Sequence, residues 1–390
     1  MRRRQFGAGL LFIIVSVAAA IAETEAGPWN VAALRTDPAA TWGSKSGVVQ
    51  QVYYAGEPYH GRPTRVFAYY GRPEGEGPFP AVLLVHGGGG RAFSAWVSHW
   101  AQKGYVALAM DLAGQGPAGR LADGGPGQDD KTKFQDISGN SVRDMWTYHA
   151  VAAVLRGHGL LASRKEVDPA RIAVTGISWG GYLTCIVAGL DDQLAAAVPV
   201  YGCGFLHENS VWVKPQFAKM NAVCRQRWVE NFDPSRYLGL AKCPMLFVDG
   251  TCDFAYPMDS LRKSYELVKS PVTLSVMINR KHGHIWTFPE VDAFIDSHLK
   301  GGAPMLNLSA MTTTGSTVSA TVSGHAAKAE LDYTVDGGPW QERRWETAPA
   351  TVSGGMVTAT LPARRPLVYY LYVTDKRGCA VSTPHAEVKQ

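Results

Sequence analysis

The sequence predicts an α/β protein with a mostly parallel β-sheet and helices on both of its faces, followed by a small C-terminal β-sandwich. Two observations carry this prediction. From about residue 47 to 300, short apolar runs alternate with helix-length segments, which is the pattern of a chain that winds helices around a parallel sheet. After residue 300, short stretches of alternating polar and apolar residues follow one another, with turn residues between them.

The first of these regions supplies strands and helices in a regular order. An opening pair of strands is predicted at 48–56 and 63–71, and buried strands at 81–85, 105–112, 171–176, 194–202, 244–250 and 272–279. Helices are predicted at 92–104 and 141–161, with a glycine-rich, acidic loop at 112–138. Residues 202–236 form a long and irregular connection where a short one is usual, so we expect a lid there.

The N-terminus has the composition of an export signal. Residues 1–22 combine the basic start "MRRR", an apolar run over 6–22 and small residues before Ala22, after which we expect cleavage. The run of 17 residues is short for a membrane span, although an uncleaved anchor stays open, as does a twin-arginine route. We therefore expect a secreted or periplasmic protein with no stable membrane insertion after the signal is removed.

The remaining chain divides into two predicted domains. Residues 23–300 form the α/β domain, and the linker "KGGAPM" leads to a sandwich at 301–390 that resembles immunoglobulin or fibronectin domains. The net charge of +5 falls to +2 without the three arginines of the signal, which contains no acidic residue. A near-neutral chain without a basic cluster gives no reason to expect a nucleic acid partner.

Six cysteines in an exported protein permit disulfides. Cys203 and Cys224 bracket a polar segment, and they are the pair that we predict to be bridged. Cys243 and Cys252 flank a predicted strand, which would hold them too far apart to bridge. Cys185 is expected in a buried helix as a small apolar residue.

A serine lies between glycines just after a predicted strand. Gly176-Ile177-Ser178-Trp179-Gly180 matches the pattern Gly-x-Ser-x-Gly and is followed by a helix-like segment. Small residues two positions before and after the serine allow a sharp turn that leaves its hydroxyl open to a substrate. The helix that follows directs its first amides toward charge forming at the serine. This setting favours a catalytic nucleophile over a packing turn.

A nucleophilic serine needs N–H donors that stabilise the negative charge of the tetrahedral intermediate. One donor comes from the residue after the nucleophile, which here is Trp179. The second comes from a loop earlier in the chain, and the glycines of "LLVHGGGG" supply it; we select Gly88. His86 is expected to be a structural hydrogen-bonding residue, because it precedes the nucleophile.

An acid and a base follow the serine in the chain. "PMLFVDGTCDFAYP" offers Asp249 and Asp253, and we favour Asp253 because it lies far enough past the strand to reach a base. "VTLSVMINRKHGHIW" offers His282, followed by a glycine that allows a sharp turn, and His284 as the alternative base. The resulting order of serine, acid and histidine is the one that Gly-x-Ser-x-Gly hydrolases use.

The motifs "HGGGG", "GISWGGYLT", "GTCDFAYP" and "KHGH" together resemble the secreted acetylxylan-esterase-like branch of the α/β-hydrolases. That branch is related to dienelactone hydrolases and to prolyl-oligopeptidase-type catalytic domains. The resemblance covers residues 47–300 and implies the α/β-hydrolase fold and a cofactor-free serine esterase, with acetylated polysaccharide as one substrate class. Dienelactone hydrolases carry cysteine where this chain has Ser178, and prolyl oligopeptidases place a large propeller before the hydrolase, so neither substrate class carries over directly.

Three alternatives stay open. A serine peptidase would use the same residues on an amide. His282 and His284 have the spacing of metal ligands, although a metal site would leave the serine motif unexplained. A binding protein without turnover would use tryptophans on sugar rings; Trp179, Trp212 and Trp286 lie near the motifs and are our candidates for substrate binding, with core packing as the alternative. The sequence does not indicate an oligomeric state.

Overall fold

The computed structural model describes residues 27–283 and 286–389, and its centre is a nine-stranded β-sheet. The strands of the first region are β1 (Ala40–Ser46), β2 (Val49–Ala55), β3 (Arg65–Gly71), β4 (Phe79–Val85), β5 (Val106–Met110), β6 (Gln115–Gly116), β7 (Gly119–Arg120), β8 (Val167–Ile177), β9 (Ala196–Val200), β10 (Met245–Gly250) and β11 (Val272–Met277). The short β6 and β7 pair only with each other, and the rest have the order β1-β2-β3-β5-β4-β8-β9-β10-β11.

The larger part of this sheet is parallel, as the sequence predicted. β1, β2, β3 and β5 pair antiparallel, whereas β4 pairs parallel with β5 and β8, and β8 to β11 continue in parallel. The predicted strands are confirmed, and β1 is an addition to them. Sequence reasoning missed β1 because it is an edge strand whose residues are all at least partly exposed, so it lacks an apolar run.

The helices lie on both faces of the sheet. They are α1 (Val31–Leu34), α2 (Ser94–Gln102), α3 (Asp130–Lys133), α4 (Trp146–Ala162), α5 (Trp179–Leu190), α6 (Ala222–Phe232), α7 (Met258–Leu267) and α8 (Pro289–Leu299). α4 and α5 pack against each other, and nearly all of their residues are buried. On the other face, α2 is joined to α8 by Lys103, whose ammonium lies 3.0 Å from the carboxylate of Asp292. The two longest predicted helices are thus confirmed as α2 and α4.

The connection at 202–236 contains more regular structure than its sequence suggested. It holds the 3-10 turns Phe217–Lys219 and Pro234–Arg236 and the helix α6, whose first turn is capped by the side chain of Asn221. Only three residues of α6 are buried, so its apolar pattern is too sparse to be recognised from the sequence. That this segment moves as a lid stays a prediction.

The C-terminal region consists of two antiparallel sheets, as expected. Its strands are β12 (Asn307–Leu308), β13 (Thr312–Thr314), β14 (Thr317–Ser323), β15 (Ala326–Thr334), β16 (Glu346–Pro349), β17 (Thr351–Ser353), β18 (Met356–Thr360), β19 (Leu367–Asp375), β20 (Ala380–Ser382) and β21 (Ala386–Val388). One sheet has the order β12-β14-β18-β17 and the other β16-β15-β19-β20, with β13 paired to β14 and β21 to β19. Side chains from both sheets, among them Val357 of β18 and Leu331 of β15, form a core of their own.

These C-terminal sheets are not a separate appendage. Trp345, Tyr370, Tyr372 and Ala380 belong to the continuous core that also contains the strands of the large sheet. β20 lies against β11, the last strand of that sheet, and the Ser382 hydroxyl accepts a hydrogen bond from the β11 backbone. The C-terminal region therefore covers the edge of the large sheet that would otherwise expose unpaired backbone groups.

The structure contradicts the predicted disulfide. Cys203 and Cys224 are both free thiols, because their elements direct them toward different neighbours. Cys224 lies in α6 with its sulfur 3.8 Å from the carbonyl oxygen of Gln135, whereas Cys203 follows β9 and is fully buried. Cys185 is buried in α5, as predicted.

Two predictions fall outside the part of the chain that the structure describes. These are the export signal at 1–22 and the alternative base His284. Within the described ranges, each helix is too short or too polar to cross a membrane.

Candidate active site

Six parallel strands end at one edge of the large sheet, and the segments that follow four of them carry the candidate residues. The pairs at or next to these ends are Val85 with Gly176, Ile177 with Val200, and Gly250 with Met277. Because the carboxyl ends of parallel strands meet at the same edge, loops that are distant in sequence are neighbours there. The serine, the acid, the histidine and the glycine loop all follow strands of this set.

Ser178 occupies a sharp turn between β8 and α5. Its φ is 59° and its ψ is −120°, a conformation that side-chain-bearing residues rarely adopt. Its N–H donates to the Val200 carbonyl at 2.8 Å, and its own carbonyl accepts from the N–H of Tyr182 at 2.9 Å. The turn is thus fixed on one side by β9 and on the other by the first turn of α5. This is the strand-turn-helix geometry that the sequence motif predicted.

The glycines of the motif are required by close backbone contacts. A Cβ added to Gly176 would lie 2.3 Å from the carbonyl oxygen of Gly180, and one added to Gly180 would lie 2.0 Å from that of Val85. A Cβ on Gly181 would lie 2.4 Å from the Val200 oxygen. Since carbon and oxygen cannot approach so closely, α5 can pack directly on the strand ends only with glycine at these positions.

Asp253 and His282 are joined by a short hydrogen bond. Nδ1 of His282 lies 2.6 Å from Oδ2 of Asp253. The other oxygen of Asp253 accepts the backbone N–H groups of Ala255 and Tyr256 at 2.7 and 2.8 Å, so the buried carboxylate is held by three donors. A hydrogen bond from Nδ1 fixes the tautomer that leaves Nε2 as the acceptor.

Tyr201 connects this pair with the serine turn. It directly follows Val200, whose carbonyl accepts the Ser178 N–H, and its ring centroid lies 4.8 Å from that of His282. The adjacent residues Val200 and Tyr201 therefore contact the serine turn and the imidazole, respectively. The ring of Phe254 lies 5.0 Å from the imidazole and is 54% exposed.

The second carboxylate, Asp249, has different surroundings. It lies within β10, is fully buried, and accepts the neighbouring Gly250 N–H at 2.7 Å. Burial, and then the nearby charge of Asp253, raise the pKa of Asp249 well above its ordinary value. The carboxylate that bonds His282 is therefore Asp253, the one favoured from the sequence, whereas Asp249 lies within the strand.

The glycine loop after β4 touches the residue that follows the serine. A Cβ on Gly88 would lie 2.8 Å from Cδ1 of Trp179, so the two selected N–H donors belong to segments in direct contact. His86 is buried; its Nδ1 lies 2.8 Å from the Gly87 oxygen, and its Nε2 accepts the Leu112 N–H at 2.9 Å. These contacts give His86 the structural role that was expected, because they tie the glycine loop to the end of β5.

Aromatic side chains surround Trp179. The ring of Trp212 lies 4.5 Å from it and that of Trp146 5.7 Å, and both Trp179 and Trp212 are less than 10% exposed. Trp286 packs on Phe93, with ring centroids 5.2 Å apart. Substrate binding by these tryptophans stays a prediction, and the burial of the first two leaves them little surface for stacking on a sugar.

Lys133 is a member of this cluster that sequence reasoning missed. Its ammonium lies 4.8 Å from the Trp179 ring, and burial lowers the pKa of Lys133. No local signal identifies it, because it lies in the polar stretch 128–133 of the predicted loop. The aromatic faces that bury it come from distant segments. In the described part of the chain, His, Cys, Asp and Glu form no group of three that could hold a metal ion.

Comparisons with known proteins show similarity to acetyl esterases. The sequence profile of the acetyl xylan esterase (AXE1) family matches residues 40–213. The acetyl esterase Axe7A of Xylanibacter ruminicola is 24% identical over 243 residues, which are 58% of this chain and 54% of that protein. The chain spans about half the length of the curated relatives it matches.

Two solved structures share the fold. The acetyl xylan esterase from Paenibacillus sp. R4 superposes with a TM-score of 0.57 at 23% identity, over 69% of this chain and 92% of that one. Acetyl xylan esterase 1 from Thermoanaerobacterium sp. superposes with a TM-score of 0.54 at 18% identity, over 69% of this chain and 93% of that one. Over residues 40–213 the chain is thus similar to the acetyl xylan esterase family, and it shares the fold of these two acetyl xylan esterases.

Proposed function

We propose that this chain is an exported serine esterase that removes acyl groups, in particular acetyl groups, from a carbohydrate through an acyl-enzyme. The observation that carries the proposal is the short bond between Asp253 and His282 at the same sheet edge as Ser178, which is held at positive φ. A serine in this conformation, at the same sheet edge as an imidazole whose tautomer is fixed by a buried carboxylate, supports nucleophilic catalysis.

Each residue has a defined part in the proposed reaction. Nε2 of His282 takes the proton of the Ser178 hydroxyl while the serine oxygen attacks the ester carbonyl carbon. The N–H groups of Gly88 and Trp179 stabilise the resulting oxyanion. The imidazolium then returns its proton to the departing alcohol, which leaves Ser178 acylated. Water, activated by the same imidazole, attacks the acyl group and releases the acid and the free serine. Asp253 stabilises the imidazolium in both halves.

The choice of substrate rests on the relatives and on the site. The matching family and the relative Axe7A are named for acetyl esters. The exposed Phe254 offers an apolar contact for a short acyl chain or for the face of a sugar ring. The signal-like residues 1–22 support export from the cytoplasm. A polysaccharide substrate is found outside the cytoplasm.

The proposal is tested with three substrates and one variant. We expect the wild type to hydrolyse an aryl acetate and acetylated xylan, and to leave an aminoacyl arylamide intact. Ser178→Ala should stay folded and lose about four orders of magnitude or more in kcat, because the remaining groups of a triad contribute little without the nucleophile. Activity should survive exhaustive chelation. Faster cleavage of the arylamide would indicate a peptidase, and binding of xylan without turnover would indicate a binding protein.

A further inference from the structure

Cys252, the residue before Asp253, connects the acid loop with the segment after β11 and with the C-terminal region. The thiol of Cys252 donates to the Arg343 carbonyl of the C-terminal region at 3.5 Å, and it lies 3.7 Å from Oδ1 of Asn279, which follows β11. The Asn279 N–H in turn bonds the hydroxyl of Thr251 at 3.0 Å. The segments that lead to Asp253 and to His282 are thus joined to each other and to the C-terminal region at one point.

The strand and the helix that bracket the histidine segment also contact the C-terminal region. The hydroxyl of Ser382 accepts the N–H of Val276, one residue before the end of β11, at 3.1 Å. The thiol of Cys379 donates to the carbonyl of Pro289, the first residue of α8, at 3.4 Å. β11 is the last strand of the large sheet, so its outer side has no neighbouring strand of that sheet to fix it.

The contacts extend to the 202–236 segment. The side-chain amide of Gln341 donates to Oδ1 of Asn209 at 3.0 Å, and the Asn209 amide donates to the carboxylate of Asp259 in α7, also at 3.0 Å. α7 begins directly after the acid loop. Behind these contacts, Trp345 is buried in the core shared with the large sheet. The acid loop is therefore flanked by the C-terminal region on its Cys252 side and again through α7.

We propose that the C-terminal sandwich is a positioning element of the active site, in which Arg343, Ser382 and Cys379 hold the segments that carry Asp253 and His282 in register. The inference rests on the proposed function. A catalytic group that is displaced by about 1 Å loses much of its contribution to the reaction rate. The contacts of the sandwich with these segments therefore affect the chemical step. The sandwich thus acts on acylation, and not on the capture of a polymer.

The test uses matched variants of the full chain with an aryl acetate as substrate. Ser382→Ala removes the bond to β11, and Tyr369→Phe is its control, because the Tyr369 hydroxyl bonds Thr313 within the sandwich itself at 2.8 Å. We expect Ser382→Ala to lower kcat about fivefold with little change in KM, the size expected for the loss of one neutral hydrogen bond. Ser382→Thr should restore kcat, and Tyr369→Phe should leave it unchanged.

A second pair removes larger contacts. Trp345→Leu alters the shared core, and Val357→Ala alters the sandwich's own core, which lies away from the large sheet. When the two variants lose the same thermal stability, only Trp345→Leu should lower kcat. If Trp345→Leu does not fold, the comparison of Ser382→Ala with Tyr369→Phe tests the inference. Interface variants that behave like their controls, or that raise KM at unchanged kcat, would overturn this inference alone. A wild type that does not hydrolyse the ester would overturn the proposed function and this inference with it.

Discussion

Asp249, near the end of β10, and Asp253, just after that strand, are both buried, but their surroundings differ. Asp253 is stabilised by two backbone N–H groups and the imidazole of His282. Burial, and then the nearby charge of Asp253, raise the pKa of Asp249 well above its ordinary value. The sequence predicted which of the two reaches the base from their positions relative to the strand. It could not predict the raised pKa of Asp249, because the low-polarity surroundings of Asp249 come from neighbouring strands.

This difference predicts how stability depends on pH. The native pKa of Asp249 is raised, so the stability associated with its proton is present below the ordinary aspartate pKa and is lost as the pH rises toward the native pKa. Asn keeps a neutral side chain at every pH. We therefore expect Asp249→Asn to be increasingly more stable than the wild type as the pH rises above about 4, the ordinary aspartate value. Urea unfolding from pH 4 to 9 measures this; a difference that is constant with pH would contradict it.

Among the elements, the turn between β8 and α5 was the most predictable from the sequence and the 202–236 segment the least. The turn is encoded locally, because its glycines are needed for contacts within a few residues of Ser178 and with adjacent strand ends. The 202–236 segment, by contrast, owes its shape to packing on Trp179 and Tyr256 through Trp212. Such long-range aromatic contacts leave no periodic pattern in the sequence.

The tight turn makes a prediction about Gly180. Gly180→Ala places a methyl group against the Val85 carbonyl, where the backbone has no room for it. We expect a loss of about 3 kcal/mol in the free energy of unfolding, the upper part of the range for overpacking, together with loss of esterase activity. Gly139→Ala is the matched control, since a Cβ there meets nothing within 4 Å. Equal stabilities of the two variants in urea would show that the turn is not constrained in this way.

At the scale of the whole molecule, the sequence predicted both regions but not their shared core. The alternation of strands and helices is a local pattern, whereas the packing of β20 against β11 joins residues about a hundred positions apart. One signal was present in the sequence. β19 has seven consecutive buried residues from Leu367 to Val373, while a strand of a free two-layer sandwich exposes every second residue. A continuous apolar run in such a strand indicates that both of its faces are covered.

The proposed nucleophile is tested most directly by covalent labelling. An organophosphonate with an aryl leaving group is incubated with the wild type, Ser178→Ala and His282→Ala, and intact mass and peptide mapping follow the adduct. We expect one adduct per chain in the wild type, located on Ser178, and none in Ser178→Ala. In His282→Ala, labelling should slow by at least about a thousandfold, because the general base is removed. An adduct on another residue, or labelling of Ser178 at the wild-type rate without His282, would contradict it.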